Sequence, residues 1–235
     1  MGAGTRLGDL ESMDRRVRRR LLNRALPLFT TIALLCLASG GLAGQEDEGG
    51  LYGSSAPGDA AFVRLVNARS EGGVSTSIGG SDFGPVPAAG ASPYRPVAVG
   101  LFTVRIAERS VELITEDAAY YTIALTDAAL LVFDDPEHTD PAEAQLFLYN
   151  LTSGPDLTLV ASERQTDITD AVSAGESTQV TVTPVAVNLA LSSAATDLIE
   201  LGDPGLERGE SYSVFAFGEG DEIDAFVKQA TVATE

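Results

Sequence analysis

The stretch at residues 51–67 reads LYGSSAPGDAAFVRLVN, and its last third is the first clear indication of the fold class. The string FVRLV places Arg64 between apolar pairs, which predicts a strand buried on one face and partly on the other. Asn67 predicts the end of that strand, because an Asn side chain can bond its own backbone and hold a turn. The stretch therefore predicts that the folded region opens with a β-strand.

The first 44 residues have the composition of an export signal. Six arginines at residues 15–24 precede an almost wholly apolar run at 25–38, and small residues follow at 39–44. This order predicts a signal peptide at residues 1–44 that is cleaved after Ala43 or Gly44. An uncleaved anchor is the alternative, since an apolar segment extended to residues 21–43 reaches the roughly 20 residues that a bilayer span needs.

Cysteine content and charge exclude several functions. Cys36 is the only cysteine and lies within the apolar part of the signal, so the cleaved chain has no disulfide, thiolate metal ligand or cysteine nucleophile. The first 44 residues carry 7 of the 15 basic and 3 of the 34 acidic residues, which leaves 8 basic and 31 acidic residues and a net charge of −23. Such a chain is not expected to bind nucleic acid.

Short β-forming runs recur after residue 44 between Gly, Pro, Asp and Ser, which is typical of β-sandwiches. Strands are predicted at 62–68, 74–78, 101–107, 111–113, 120–125, 130–133, 145–150, 157–161, 179–183, 185–191, 212–217 and 225–227. The acidic, proline-containing residues 136–143 predict a linker between an N-terminal domain at 45–135 and a C-terminal domain at 144–235. The predicted fold class is all-β, with two tandem small β-sandwich domains after the export signal; one barrel of about a dozen strands is the alternative.

Three landmarks indicate that the two halves repeat each other. The strand FVRLVN at 62–67 resembles QLFLYN at 145–150, and PVAV occurs at both 96–99 and 184–187. Glu116 with the tyrosines at 120–121 is matched by Glu207 with Tyr212. The landmarks keep their order, as expected of an internal repeat.

His138 is the only histidine, so any serine-type acyl transfer would have to use it as the base. It lies in the predicted linker, and such a loop could bring Asp135 or Asp140 beside it, but a mobile linker does not hold catalytic groups in register. A solvated linker residue is the favoured interpretation, and no catalytic residue is predicted.

Other chemistry gives no specific signal. Asp134, Asp135, Glu137 and Asp140 could offer oxygen ligands to calcium, but they lack the spacing and the central glycine of an EF-hand, so no metal site is predicted. No phosphate-binding glycine loop opens a helix, so no cofactor is predicted. Without tryptophan, aromatic platforms for sugars would be the six tyrosines, and Tyr120, Tyr121 and Tyr212 are expected to pack within strands.

The chain resembles the AlgF family, periplasmic accessory proteins of bacterial alginate O-acetylation. The resemblance rests on LYG at 51–53, AP at 56–57, FVR at 62–64 and Asn67. It continues through SDF at 81–83, YYT at 120–122, LFLYNL at 146–151 and PVAV at 184–187. It implies two β-sandwich domains in the periplasm and an adaptor that works with a membrane-bound O-acyltransferase and a separate periplasmic acetyltransferase.

The partner surface is predicted at Tyr52, Arg64 and Asn67, because exposed Tyr and Arg commonly anchor interfaces. The alternative is that Arg64 spans the sheet face and Tyr52 packs over its edge. Strong acidity favours partners with basic patches over direct contact with anionic alginate, although a polysaccharide stays a candidate partner. Two other functions stay open: a saccharide-binding or surface structural module, and an acetyltransferase or esterase that uses His138.

Overall fold

The computed structural model of this protein describes residues 59–163, 165–193, 199–220 and 222–233. They lie in one compact unit, Gly49–Glu235. The predicted signal peptide at 1–44 lies outside the described residues. No helix in the described segments is long and apolar enough to cross a membrane.

The described residues form seventeen β-strands, which confirms the predicted all-β class. Nine precede residue 136: β1 Ala60–Asn67, β2 Ser77–Ile78, β3 Ser81–Asp82, β4 Gly90–Ala91, β5 Arg95–Ala98, β6 Gly100–Ile106, β7 Arg109–Thr115, β8 Tyr120–Leu125 and β9 Leu130–Asp135. Eight follow it: β10 Ala144–Asn150, β11 Thr158–Ala161, β12 Thr166–Asp167, β13 Ser177–Val182, β14 Leu189–Ser192, β15 Ile199–Gly202, β16 Ser211–Glu219 and β17 Glu222–Gln229.

Each half of the chain is built on one main sheet. In the N-terminal half, β1 pairs with β8 in parallel and with β4 and β5 antiparallel, and β9 lies beyond β8. In the C-terminal half, β10 pairs with β16 in parallel and with β13 antiparallel, and β17 lies beyond β16. The two main sheets therefore share one topology.

A second layer covers one face of each main sheet. The hairpins β2–β3 and β6–β7 form this layer in the N-terminal half, and the sheet β12–β11–β14–β15 forms it in the C-terminal half. Each half has its own apolar core between its layers, with Val63, Leu65 and Ile123 in the first and Leu146, Leu148 and Val214 in the second.

The other faces of the two main sheets pack against each other. Alternation along β1 and β10 directs Val66 and Phe147 away from their own cores, and both are buried in a third cluster that joins the halves. This central apolar cluster comprises Val66, Ala68, Ala124, Phe133, Phe147, Tyr149, Leu151, Phe215 and Phe217. Because β1, β8, β10 and β16 are covered on both sides, they are almost continuously apolar instead of alternating.

Two of the three repeat landmarks occupy equivalent places. The Tyr121 hydroxyl accepts a hydrogen bond from the Glu116 N–H at 3.1 Å, and the Tyr212 hydroxyl accepts one from the Glu207 N–H at the same distance. This contact, from a tyrosine back to the backbone a few residues earlier, fixes the entry into β8 and β16.

The strand-ending asparagines are also equivalent. Asn67 donates to the carbonyl of Gly72 at 2.8 Å, and Asn150 donates to that of Pro155 at 2.9 Å, in each case five residues on. The predicted role of Asn67 in holding a turn is confirmed. Because Asn150 is fully buried, the sequence Asn-Leu-Thr at 150–152 is a turn motif rather than an accessible glycosylation site.

The PVAV landmark is not structurally equivalent. Pro96 lies in β5 opposite Phe62, whereas Pro184 lies beyond the end of β13. The residue opposite Gln145, the counterpart of Phe62, is Thr181. The repeated letters are therefore three residues out of register. The division into two domains joined by a linker at 136–143 stays a prediction.

Candidate functional site

A buried polar cluster lies where the two main sheets meet, and it contains Arg64, one of the predicted partner-binding residues. We define the buried polar cluster as Arg64, Tyr94, Thr122, Asp135 and Tyr149. Parallel pairing of β1 with β8 sets Arg64 beside Thr122, and pairing of β8 with β9 brings Asp135 to the same end. Tyr149 comes from β10 of the other half.

The guanidinium of Arg64 reaches the other half through hydroxyl groups. Its Nε donates to Thr122 Oγ1 at 2.7 Å, and its Nη2 donates to the Tyr149 hydroxyl at 2.8 Å. Thr122 and Tyr149 in turn donate to Asp135, with a distance of 2.6 Å from the Tyr149 hydroxyl to Oδ1. Asp135 Oδ2 lies 3.8 Å from Arg64 Nη2. The positive and negative charges are thus joined by two hydroxyl bridges as well as by their direct attraction.

Aromatic rings enclose the guanidinium. The Arg64 Cζ atom lies 4.6 Å from the ring centroid of Tyr94, 5.1 Å from that of Phe215 and 5.4 Å from that of Tyr149. Cations over aromatic faces are stabilised by the ring quadrupole, more so where water is excluded. Arg64 is only 1% exposed, so these rings and hydroxyls replace its hydration.

Tyr94 ties the cluster to the C-terminal end of the described chain. Its hydroxyl donates to Asp135 Oδ2 at 2.7 Å. Its backbone N–H donates to the Thr231 carbonyl, and its carbonyl accepts from the Ala233 N–H, both at 2.8 Å. The segment after β17 therefore returns to the N-terminal half and holds Tyr94 over the charge pair.

Burial favours the protonated, neutral form of the two tyrosines in the cluster. It raises the pKa of both Tyr94 and Tyr149, because a phenolate would lose its hydration there, and this outweighs the opposing attraction of Arg64. Burial by itself lowers the pKa of Arg64, but electrostatic interactions with Tyr149, Tyr94 and Asp135 raise it above its ordinary value. The cluster therefore holds a charged arginine and two neutral tyrosines throughout the physiological pH range.

We expect stability to fall at alkaline pH through these two tyrosines. In the unfolded chain they ionise near pH 10, but in the folded chain they ionise only at higher pH. Between those pH values the folded state holds more protons, so each tyrosine lowers the free energy of unfolding by up to about 1.4 kcal/mol per pH unit. Denaturant unfolding from about pH 8 to about pH 11 measures this slope.

Two controls accompany the alkaline experiment. The Tyr149→Phe variant removes one of the two groups and is expected to show a shallower slope. An absorbance titration of the folded protein is expected to leave Tyr94 and Tyr149 un-ionised above the pH at which they ionise in the unfolded chain. Ionisation of all six tyrosines together near pH 10 would contradict the prediction.

The structure corrects the exposure expected of the predicted partner-binding residues. Arg64 and Asn67 are buried, and their polar groups bond within the chain. Arg64 is buried because the second face of β1 is covered by the other main sheet rather than by water. Asn67 lies on the first face, with Val63 and Leu65, where its side-chain nitrogen donates to the carbonyls of Gly72 and Val86. The alternative, that Arg64 spans the sheet face, agrees with the burial. Tyr52 lies outside the described residues, and its partner-binding role stays a prediction.

In the described part of the chain, His138, Asp140 and Asp135 each have a different set of partners. A ring nitrogen of His138 lies 3.1 Å from the carbonyl oxygen of Glu143, and Asp140 accepts from the Ala142 N–H. Asp135 is engaged in the buried polar cluster. Across the segments that the structure describes, no group of three or more His, Cys, Asp or Glu side chains could hold a metal ion.

Most of the tyrosines considered as sugar platforms are interior residues. Tyr94, Tyr121, Tyr149 and Tyr212 are buried, and Tyr120 stacks on Phe62 at 4.7 Å between ring centroids. Sequence reasoning missed Tyr94, Thr122 and Asp135 as members of one site. The sequence signal for the site lies in two charges, since Arg64 interrupts an apolar strand and Asp135 ends one.

Comparison with known proteins identifies relatives over most of the chain. The family model described as Alginate O-acetyl transferase AlgF matches residues 33–213. The alginate biosynthesis protein AlgF of Pseudomonas aeruginosa is 29% identical over 190 residues, which cover 80% of this chain and 87% of the relative. That of Pseudomonas putida is 30% identical over 174 residues, which cover 74% and 80%. A solved structure of the C-terminal domain of AlgF from P. aeruginosa is 25% identical and covers 37% of this chain and 98% of that domain, with a TM-score of 0.31.

Proposed function

Since this chain belongs to the AlgF family, we propose that it is a non-catalytic periplasmic adaptor in the O-acetylation of alginate or a related exopolysaccharide. Its relatives are named as alginate biosynthesis proteins, and the family model is named for alginate O-acetyl transfer. In the proposed role, the exported chain binds a membrane-bound O-acyltransferase and a separate periplasmic acetyltransferase. These two enzymes carry out the chemistry.

The non-catalytic part of the proposal rests on the hydrogen-bond partners of the groups that catalysis would need. Acyl transfer by serine needs an imidazole between a nucleophilic hydroxyl and an orienting carboxylate. The contact that the structure gives His138 is with the main-chain oxygen of Glu143. Thr122, Tyr149 and Asp135, which do form a connected hydrogen-bond network, surround Arg64 and are all buried.

The buried polar cluster also supports an adaptor on physical grounds. It joins two halves that have separate cores, so it favours one relative arrangement of their outer surfaces. A scaffold that binds two enzymes at once benefits from such rigidity, because less freedom is lost when both are bound. This supports the proposal without requiring any chemistry from the chain itself.

The family name gives one reason to keep an enzymatic candidate, an acetyltransferase that uses His138. The test complements a strain that lacks this gene with the full-length chain or with His138→Ala. The O-acetyl content of the polymer and co-purification of the two acyltransferases are then measured. We expect the wild-type chain and His138→Ala to restore acetylation equally and to recover both enzymes.

Two results would count against the adaptor. If the folded His138→Ala variant still binds both enzymes but restores no acetylation, the enzymatic candidate is favoured. If the wild-type chain restores acetylation but recovers neither enzyme, the chain does not act by bridging them. A matched comparison with Asp140→Ala, a neighbouring exposed residue, controls for disturbance of the segment at 136–143.

A further inference from the structure

Two large apolar side chains lie exposed and adjacent on the outer face of the β6–β7 hairpin. Leu101 is 64% exposed and Ile114 is 68% exposed, and they are direct partners across the two strands. Side chains opposite each other on one face of an antiparallel pair are within contact distance. They therefore form one apolar patch, which Val99 extends along the chain.

This patch continues into an open cleft. Ile114 lines a cavity of about 580 Å³ together with Ala118, Ala119 and Pro136. The cleft lies at the start of β8 and the end of β9, and its wall includes Asp135 of the buried polar cluster. An apolar hairpin face thus leads into a concave site that borders the buried polar cluster.

The cleft is rimmed with negative charge. Glu116, Asp134 and Glu137 line it and are exposed, whereas no Lys or Arg among the described residues lines it. Their carboxylates make no hydrogen bond or ion pair with the part of the chain that the structure describes. The rim therefore offers three uncompensated carboxylates next to an apolar surface.

We propose that the cleft and the Leu101–Ile114 patch form the surface on which one of the two acyltransferases docks, through a segment that places an apolar side chain beside Arg or Lys. Buried apolar anchors supply most binding energy in such contacts, and charges at the rim set specificity and association rate. An anionic polysaccharide is disfavoured by the same carboxylates and by the net charge of −23 on residues 45–235. This inference rests on the proposed adaptor function and names its contact surface.

The test measures the affinity of the full-length chain for each purified acyltransferase. The double variant Leu101→Ser/Ile114→Ser is expected to weaken binding to one of them by roughly tenfold or more. Glu137→Lys is expected to slow association and to reduce its dependence on salt. Val185→Ser is the matched control, because Val185 is 58% exposed but lies in the C-terminal half beyond β13; it is expected to leave both affinities unchanged. All these side chains are exposed, so thermal unfolding should be unaltered.

The outcomes separate this inference from the proposed function. If the wild-type chain binds neither enzyme, the adaptor itself is wrong. If it binds and the double variant binds equally well, the adaptor stands and this surface is not the contact. A photo-crosslinking residue at position 114 supports the inference when it joins to the acyltransferase. A crosslink to residues 45–58 of the same chain, or to a second copy of the chain, would contradict the inference and identify that segment or copy as what covers the patch.

Discussion

Replacing Asp135 by Ala is expected to lower the free energy of unfolding by about 3–5 kcal/mol. The change leaves the Arg64 charge buried without its counter-ion, and it removes the acceptor used by the hydroxyls of Tyr94, Thr122 and Tyr149. Breaking a buried charge pair by removing one member is far more costly than its net contribution to stability, because the remaining charge cannot regain its hydration. Equilibrium unfolding in urea measures the loss.

The neighbouring residue provides a matched control. Asp134 is also an aspartate of β9, but it is exposed, and Asp134→Ala is expected to change stability by no more than about 0.5 kcal/mol. Equal losses in the two variants would contradict the role assigned to Asp135.

A double-mutant cycle tests whether the cost arises from the stranded charge. Adding Arg64→Met to Asp135→Ala removes the uncompensated guanidinium while retaining apolar volume. The combined loss is therefore expected to fall short of the sum of the two single losses by about 1–3 kcal/mol. Strict additivity would mean that the two charges do not interact.

Gly218→Ala is expected to destabilise the protein by about 3 kcal/mol or more. Gly218 lies near the end of β16 with φ of +120°, and it pairs with Ile223 of β17. A Cβ atom at this position would overlap the main-chain oxygen of Glu222. Because this oxygen belongs to the backbone of the same hairpin, it cannot move aside without breaking the β16–β17 pairing. Phe217 of the central apolar cluster, and Phe226 packed against that cluster, would shift with it.

Gly220→Ala is the control for this change. Gly220 lies in the turn between β16 and β17 with φ of +59°, but nothing lies within 4 Å of the position that a Cβ would take. Its cost is limited to the left-handed conformation, about 1–2 kcal/mol. Unfolding midpoints of the two variants give the comparison, and a Gly218→Ala variant no less stable than Gly220→Ala would contradict the steric account.

Local sequence predicted the longer strands because alternation and β-forming residues are visible within a few positions. The strand predicted at 120–125 coincides with β8, and the one at 145–150 differs from β10 by one residue. The paired strands β2–β3 and the short strand β12 have two residues each, too few to show a period. The edge strand β15 was missed as well, since it follows a polar stretch and is formed by pairing with β14.

The candidate site could not be derived in the same way. Period-two alternation correctly sets Arg64 on the face opposite Val63 and Leu65, but alternation alone does not say whether that face meets water or another sheet. Asp135 ends an apolar strand, yet it is followed at once by acidic and proline residues that are typical of a solvated linker. Only the packing of the two main sheets turns both residues inward.

By itself, the sequence determined the all-β class, the turn held by Asn67, the tyrosine landmarks of the repeat and the family resemblance, because each is carried by neighbouring residues or by a short motif. Tertiary structure alone decided that Arg64 is an interior residue and that Tyr149, 85 positions later, is its partner. The physical reason is that a buried charge is tolerated only where distant strands supply its hydrogen bonds, and no local pattern encodes which distant strands will meet.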